Sequence, residues 1–393
     1  MKKRIKQALR AAVQGILYPL VYGLSALRRV KPDKVVFVEV RDTSLDGSLY
    51  DMRRRLEKHY QFTCVSCFLR SGFAGLAAYT GHCLKMLWQI GNARCVFVSD
   101  ACNVFGTVQK RPETVVVQLW HGCGAFKKFG MSTADLLWGA EREELLRRPN
   151  YANMDFVTVS SPEVRWAYAE AMALPMERIV ADGVGRTDRF FELDRRQRAY
   201  DKLYRLLPET QGKKIILYAP TFRGEIGSAR SPDELDFTAC REQLGADYFY
   251  LIKRHPFVEQ EHPLSEAQRA YARDVTEILT IDELLFVSDI CITDYSSLIF
   301  EYALLEREMI FFAFDIDEYL DWRGFYYPYD ELVPGPICKT TDEVISAVRA
   351  AERGENRERI RAFRKKFMSA CDGHATERIL RRAFGEELER HQK

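Results

Sequence analysis

The chain has 393 residues, 47% of them hydrophobic and 29% charged, a balance that excludes a disordered protein and leaves length for two domains of ordinary size. Its 58 Lys and Arg stand against 56 Asp and Glu, for a net charge of +2. No global basic field favours nucleic acid, so any anion recognition is local. The ten cysteines are scattered, and those inside apolar runs, such as Cys95 and Cys291, read as buried reduced thiols. Cys64 and Cys67 form one C-x-x-C within QFTCVSCFL, with no second pair to complete a zinc site.

The amino terminus carries Lys2, Lys3, Arg4, Lys6 and Arg10, then a charge-free stretch over residues 11–27, then Arg28, Arg29 and Lys31. The apolar run is short for a bilayer span and is interrupted by Gln14, Gly15 and Pro19. Residues 1–30 therefore read as an amphipathic segment lying on an anionic membrane surface, tyrosines at headgroup level. An ordinary buried first helix is the alternative.

Beyond it, strand-like and helix-like pieces alternate. Strands are expected at Lys34–Val40, Gln61–Leu69, Arg94–Ser99, Thr114–Leu119, Asp155–Ser160 and Arg178–Ala181, with helices such as Leu49–His59 and Pro162–Ala173 between some of them. After the charged helix Glu192–Leu207 come strands at Lys213–Ala219, Tyr248–Lys253, Val275–Leu279, Asp289–Thr293 and Met309–Ala313. Strand alternating with helix implies parallel sheets. The expected fold class is α/β, with two Rossmann-like domains, residues 31–205 and 206–393, facing across a cleft that holds the site.

Five strand exits carry chemistry. Thr114–Leu119 runs into Trp120-His121-Gly122, and Arg178–Ala181 into Asp182-Gly183-Val184-Gly185-Arg186-Thr187-Asp188. Lys213–Ala219 runs into Pro220-Thr221-Phe222-Arg223, Tyr248–Lys253 into Arg254-His255-Pro256, and Asp289–Thr293 into Asp294-Tyr295-Ser296-Ser297. Open α/β sheets place ligands at the carboxyl ends of their strands, and His, Arg and Ser are residue types that move protons or bind phosphate. Ser296 or Ser297 caps a following helix whose N-terminus suits phosphate; capping alone is the plainer alternative. Cys123, beside His121, reads as a small residue tolerated in a turn. Asp315, Asp317 and Glu318 read as solvated turn carboxylates rather than metal ligands, and Asp372-Gly373-His374 as a helix-start turn.

These motifs together resemble the CDP-glycerol glycerophosphotransferases of wall teichoic acid synthesis. The resemblance lies in Trp120-His121-Gly122 with Lys127-Lys128, Gly183 to Asp188, Tyr218 to Arg223, Lys253 to Pro256 and Ile292 to Ala303. It continues in Phe314 to Tyr319, Arg323 to Tyr326, Val333 to Pro336 and Asp372 to Ala375. It runs from about residue 115 to the carboxyl end and is slight over residues 1–110. It implies a glycosyltransferase B-like pair of domains that transfers glycerol phosphate from CDP-glycerol to a hydroxyl of a lipid-linked acceptor, an undecaprenyl-diphosphate saccharide or polymer, releasing CMP. The enzyme would sit peripherally on the cytoplasmic face of the membrane, with no cofactor and no metal-ligating residues identified. By the same likeness His121 is the general base, and His255, set with it among the catalytic residues, helps hold the pyrophosphate. Pro220, Thr221, Arg223, Arg254, Asp294, Ser296 and Ser297 serve the donor, and Gly122, Lys127, Lys128, Gly185 and Arg186 the acceptor side or domain interface. Two segments depart from the family's commoner text: Cys123 to Phe126 stands where Thr-Pro-Leu is usual, and Val184 to Asp188 where Pro-Arg-Asn-Asp is. They leave CDP-ribitol open as the donor. A nucleotide-sugar glycosyltransferase and a non-catalytic nucleotide-binding protein are the alternatives of other classes.

Overall fold

The computed structural model describes residues 8–45, 47–134, 136, 141–147, 149–224, 229–255, 258 and 263–393, with the backbone alone for 320–323. Lys2, Lys3, Arg4, Lys6 and Pro256 lie outside the described residues, as does the side chain of Arg323. Among the described residues the twelve strands form two six-stranded, all-parallel sheets.

The first sheet holds β1 (Lys31–Glu39), β2 (Thr63–Phe68), β3 (Ala93–Val98), β4 (Val115–Gln118), β5 (Phe156–Thr158) and β6 (Ile179–Val180), in the order β2-β1-β3-β4-β5-β6. Val35 to Val38 and Cys95 to Val98 are fully buried, as expected of parallel strands covered on both faces. The second holds β7 (Lys214–Ala219), β8 (Tyr248–Ile252), β9 (Ala272–Asp274), β10 (Ile290–Thr293), β11 (Glu308–Phe312) and β12 (Ile337–Cys338), ordered β12-β11-β10-β7-β8-β9. That is a doubly wound Rossmann order, and its switch point falls between β7 and β10, where Thr293 Oγ1 donates to the Ala219 carbonyl at 2.7 Å.

The strand expected at Val275–Leu279 lies earlier, at Ala272–Asp274. Asp274 Oδ1 accepts the Thr276 N–H at 2.9 Å and turns the chain, while Val275 and Leu279 are buried as packing residues of the turn. Two-residue β12, paired with β11 at Phe311 and Phe312, is too short to show a period in sequence.

The chain divides into two compact units. One contains the described residues up to Gly124 with Phe129–Asp188 and Ser369–Lys393, the other Ala125–Lys128 and Arg189–Met368. The limits 1–30, 31–205 and 206–393 differ from this division at Ala125–Lys128, which belongs to the second unit, and in three larger pieces. The helix Leu193–Leu206 belongs with the second unit, because it buries Ala199 and Leu203 and pairs Lys202 with Glu283 at 2.8 Å. The helix Ala375–Phe384 returns to the first, where Ile379, Leu380, Ala383 and Phe384 join the core under β1, β3 and β4. Asp188 accepts the Ala375 and Thr376 N–H groups at 2.9 and 2.8 Å and so caps that helix. Gly183 sits at φ +90°, where a Cβ would come within 2.3 Å of the Ala370 carbonyl oxygen; only glycine admits that approach.

The third difference is the amino-terminal segment. A π-helical turn, Val13–Leu17, leads into the α-helix Tyr18–Ala26, with Pro19 in the first turn, where a missing N–H costs little. Tyr18, Tyr22 and Ser25, spaced four and three apart, form a buried face packed on the helix Leu76–Ile90. Ser25 Oγ donates to the Trp88 carbonyl at 2.6 Å, and the Tyr22 hydroxyl accepts the Arg111 N–H at 3.0 Å. These two tyrosines, expected at headgroup level, are thus inside the protein. Ile16, Leu20, Leu24 and Leu27 remain exposed. Among the described residues no helix is long and apolar enough to cross a membrane.

Candidate active site

In the first unit the chemistry gathers where β1, β3 and β4 end. Trp120 follows β4 with φ +55°, a left-handed conformation that costs a bulky residue about 1–3 kcal/mol and collects at functional sites. Gln118 Oε1 accepts the Trp120 N–H at 3.0 Å. The indole packs on Phe129 and Tyr151 at centroid distances of 4.8 and 5.9 Å and on the His121 ring at 4.2 Å. The reversal presents His121, whose side chain is 57% exposed with Nδ1 3.9 Å from Asp100 Oδ2.

Asp100 is buried, takes the Ala101 N–H at 2.6 Å and pairs with Arg41 Nε at 2.5 Å. Arg186 donates to the His121 carbonyl at 3.2 Å, and its own N–H meets Ser48 Oγ at 3.1 Å. The Tyr168 hydroxyl holds the Gly122 carbonyl at 3.3 Å, and the buried Gly185 accepts from Thr376 Oγ1 at 3.4 Å. Withdrawal from water lowers the His121 pKa below its ordinary value; Asp100 opposes this, and the Arg41 and Arg186 charges add to it. The imidazole is therefore neutral near pH 7, the form in which it takes a proton from a hydroxyl. At the end of β1, burial raises the Glu39 carboxyl above its ordinary range.

Of the residues expected on the acceptor side, Gly122 follows His121 in the chain and Arg186, next to Gly185, bonds the His121 carbonyl. Lys127 and Lys128 belong to the second unit: Lys127 bridges Phe325 and stands 5.2 Å above the Tyr319 ring, and Lys128 N–H donates to the Gly324 carbonyl at 3.2 Å. Asp100 and Arg41 were not singled out in the sequence. The signal was there, since Asp100 follows the apolar stretch Arg94–Ser99 at a strand exit like the other five.

In the second unit the switch point is organised around Arg223. Its Nε donates to Asp315 Oδ2 at 2.5 Å, Nη1 to the Thr221 carbonyl and Oγ1 at 2.7 and 2.9 Å, and Nη2 to Asp294 Oδ2 and Asp315 Oδ1 at 2.9 and 3.0 Å. Tyr295, Tyr319 and Phe314 face the guanidinium at 5.1, 5.1 and 5.6 Å. All five N–H donors of the fork are engaged within the protein, so Arg223 holds the loop together.

Asp294 is likewise an organiser. It accepts the Thr221 N–H and hydroxyl at 2.9 and 3.0 Å and the Tyr295 N–H at 2.7 Å. Pro220 joins β7 to Thr221. Asp315 is no solvated turn residue: its side chain is 15% exposed. Burial by itself would raise its carboxyl, but Arg223 and the Tyr295 hydroxyl, 2.9 Å away, hold it below the usual range. Asp317, by contrast, is 89% exposed.

Arg254 is buried and paired with Asp274 at 2.9 Å, which ties the end of β8 to β9. His255 packs on Phe222 at 4.7 Å. Ser297 occupies the N-cap position of the helix Leu298–Ala303 without a side-chain capping bond, while Ser296 Oγ accepts the Leu298 N–H at 3.4 Å, a long contact. Of the two serines expected to cap, Ser296 is the one that makes a contact with the first turn. Cys64 and Cys67 lie on β2 with burial pushing both thiols up to about 11, and Cys123 is buried. Among the described residues no three His, Cys, Asp or Glu side chains are grouped to hold a metal ion. Asp372 accepts the His374 N–H at 3.1 Å just before the helix Ala375–Phe384, the expected helix-start turn.

A family model described as CDP-glycerol:poly(glycerophosphate) glycerophosphotransferase matches residues 20–385, well beyond the stretch in which the motifs were legible. The teichoic acid ribitol-phosphate primase of Bacillus spizizenii is 33% identical over 381 residues, covering 95% of this chain and 97% of that protein. The teichoic acid poly(ribitol-phosphate) polymerase of the same organism is 35% identical over 369 residues, 93% of this chain, which spans 58% of that polymerase's length. In three dimensions the wall teichoic acid polymerase TagF superposes with a TM-score of 0.76 at 22% identity, covering 99% of each chain. The family model spans nearly the whole sequence, and the protein belongs to the CDP-glycerol:poly(glycerophosphate) glycerophosphotransferase family.

Proposed function

We propose that the protein transfers a polyol phosphate from a CDP-polyol to a hydroxyl of a lipid-linked acceptor in teichoic acid synthesis. A P–O bond to the acceptor oxygen forms, and the P–O bond to CMP breaks. CMP leaves with the bonding pair, and His121 takes the acceptor's proton. The observation that carries this reading is a neutral, accessible imidazole at a strand exit, with a buried carboxylate 3.9 Å from its Nδ1. That arrangement favours Nε2 as the proton acceptor. No covalent intermediate is needed, since fixed donors stabilise charge on a transferred phosphoryl group. With Arg223, Asp294 and Thr221 bonded to one another, the donor's phosphates fall to His255, the Ser296 and Ser297 hydroxyls and the backbone N–H groups they flank.

The transferred unit is assigned as ribitol phosphate. Relatives named for ribitol phosphate are 30–35% identical to this chain, those named for glycerol phosphate 27–29%. The test is CMP release with CDP-ribitol, CDP-glycerol and UDP-sugars over a panel of lipid-linked acceptors. CDP-ribitol is expected to turn over fastest. Turnover with CDP-glycerol alone would move the donor within the class, and turnover with UDP-sugars alone would make the protein a glycosyltransferase.

We place the enzyme peripherally on the cytoplasmic membrane face, where a cytosolic CDP-polyol meets a lipid-linked acceptor. Ile16, Leu20, Leu24 and Leu27 form an exposed stripe next to Arg28 and Arg29. Each leucine contributes about 1.5–3 kcal/mol if fully buried, and each cation ~1 kcal/mol near an anionic surface. A Leu20→Ser, Leu24→Ser variant leaves the buried tyrosine face untouched and is expected to lose most sedimentation with phosphatidylglycerol vesicles. Unchanged sedimentation would remove the contact.

A further inference from the structure

Between the amino-terminal segment and the first turn of the helix Leu76–Ile90 lies a cavity of about 750 Å³, a size at which small-molecule sites are found. Its wall is largely hydrocarbon and aromatic, from Leu9, Val13, Tyr18, Leu76, Ala77 and Tyr79, and its polar lining includes Asn103 and Asn150. Arg10 supplies a cation, and among the described residues no carboxylate lines it. Part of the wall is a π-helical turn, the wider helical form that recurs at functional sites.

Two continuities say what occupies it. Ala101, in the lining, is the residue after Asp100 and donates its N–H to that carboxylate, so one wall of the cavity is the support of His121. The wall's other element, the amino-terminal segment, carries the exposed Ile16, Leu20, Leu24 and Leu27. An occupant matched to this lining is apolar along most of its length and carries a polar, anionic end beside the support of His121. We propose that this cavity is the acceptor's lipid subsite: it takes the hydrocarbon chain nearest the diphosphate of a polyprenyl-linked acceptor, with Arg10 on the diphosphate and Asn103 and Asn150 on the adjoining polar head. The assignment rests on the transfer reading above and adds to it the place where the acceptor is recognised.

The test uses the full chain. Farnesyl diphosphate, a soluble isoprenyl chain with a diphosphate head, is titrated calorimetrically against wild type and Ala77→Trp. CMP release is measured in parallel on a polyprenyl-linked acceptor in detergent and on the same head group carried by a short water-soluble alkyl chain. Wild type is expected to bind the probe saturably. Ala77→Trp fills the cavity from an exposed helix position and is expected to weaken binding at least about tenfold, raising KM for the polyprenyl acceptor alone and leaving the donor KM unchanged. Arg10→Gln, at an exposed site, is expected to weaken farnesyl diphosphate about tenfold and leave uncharged farnesol unaffected.

Absence of saturable probe binding to wild type overturns the proposal, as do equal losses on both acceptors. Displacement of the probe by phosphatidylglycerol as readily as by the polyprenyl acceptor also overturns it, since the cavity would then be a slot for bulk lipid. Saturable binding that Ala77→Trp weakens, without CMP release from any acceptor, would sink the transfer reading and leave the lipid subsite standing.

Discussion

His121→Ala is expected to slow polyol-phosphate transfer ~100- to 10,000-fold, the usual cost of losing a general base, with donor affinity nearly unchanged. The side chain stands at the exit of β4, while the donor loop is organised in the second unit. A pH series sharpens the result. The base works only when deprotonated, and its pKa is lowered, so the rate should rise with pH through an inflection below the ordinary histidine value and then level off. Asp100 opposes that lowering; Asp100→Asn should therefore move the inflection to still lower pH and reduce the plateau, since a weaker base drives proton transfer less. Near-normal turnover of His121→Ala, or an inflection unmoved in Asp100→Asn, would remove the base or its partner.

Arg223→Ala is expected to be the most destabilising substitution in the donor loop. Asp294 and Asp315 are both largely buried, with side chains 3% and 15% exposed, and both lean on this guanidinium. Removing it leaves two neighbouring carboxylates without their counter-ion, a loss of about 3–5 kcal/mol by comparison with other broken buried pairs. Melting should fall by many degrees, and donor binding should go with it because Thr221 and the Tyr295 backbone lose their anchor. Arg223→Lys should rescue little, since an ammonium cannot reproduce a five-donor planar fork. The sign with pH follows from Asp315: its carboxyl is lowered in the fold, so its contribution to stability is present above the unfolded carboxylate value and is lost as pH falls through the folded one. An Arg223→Ala protein of unchanged stability that merely binds donor more weakly would instead make Arg223 a direct phosphate ligand.

Much of this architecture was legible because parallel strands buried on both faces write continuous apolar runs. Val35 to Val38 and Ile290 to Ile292 are such runs, and the polar residues at their ends marked the exits. What escaped was what depends on partners distant in sequence. Val275 and Leu279 are as apolar as a strand, yet the Asp274 side chain bends the chain there. Arg223 is 92 residues from Asp315, and nothing local says that its donors are already taken. Lys127 stands six positions after His121, yet the unit boundary after Gly124 carries it to the other side of the division. The buried side of Tyr18 and Tyr22 was hidden because the segment's composition suits a lipid surface as well as a protein one.

The return of Ser369–Lys393 to the first unit bears on the order in which the protein takes shape. The second unit draws on a nearly continuous length, Arg189–Met368, with only Ala125–Lys128 from elsewhere. The first core is fed from both ends of the chain: Ile379, Leu380, Phe384 and Leu388 pack with Val35, Phe37 and Val117. On a ribosome, then, the segment made second has all its parts first. The sheet that carries His121 lacks part of its apolar cover until Ile379 to Leu388 have been made, so its core is completed only after the length that forms the second unit has been synthesised.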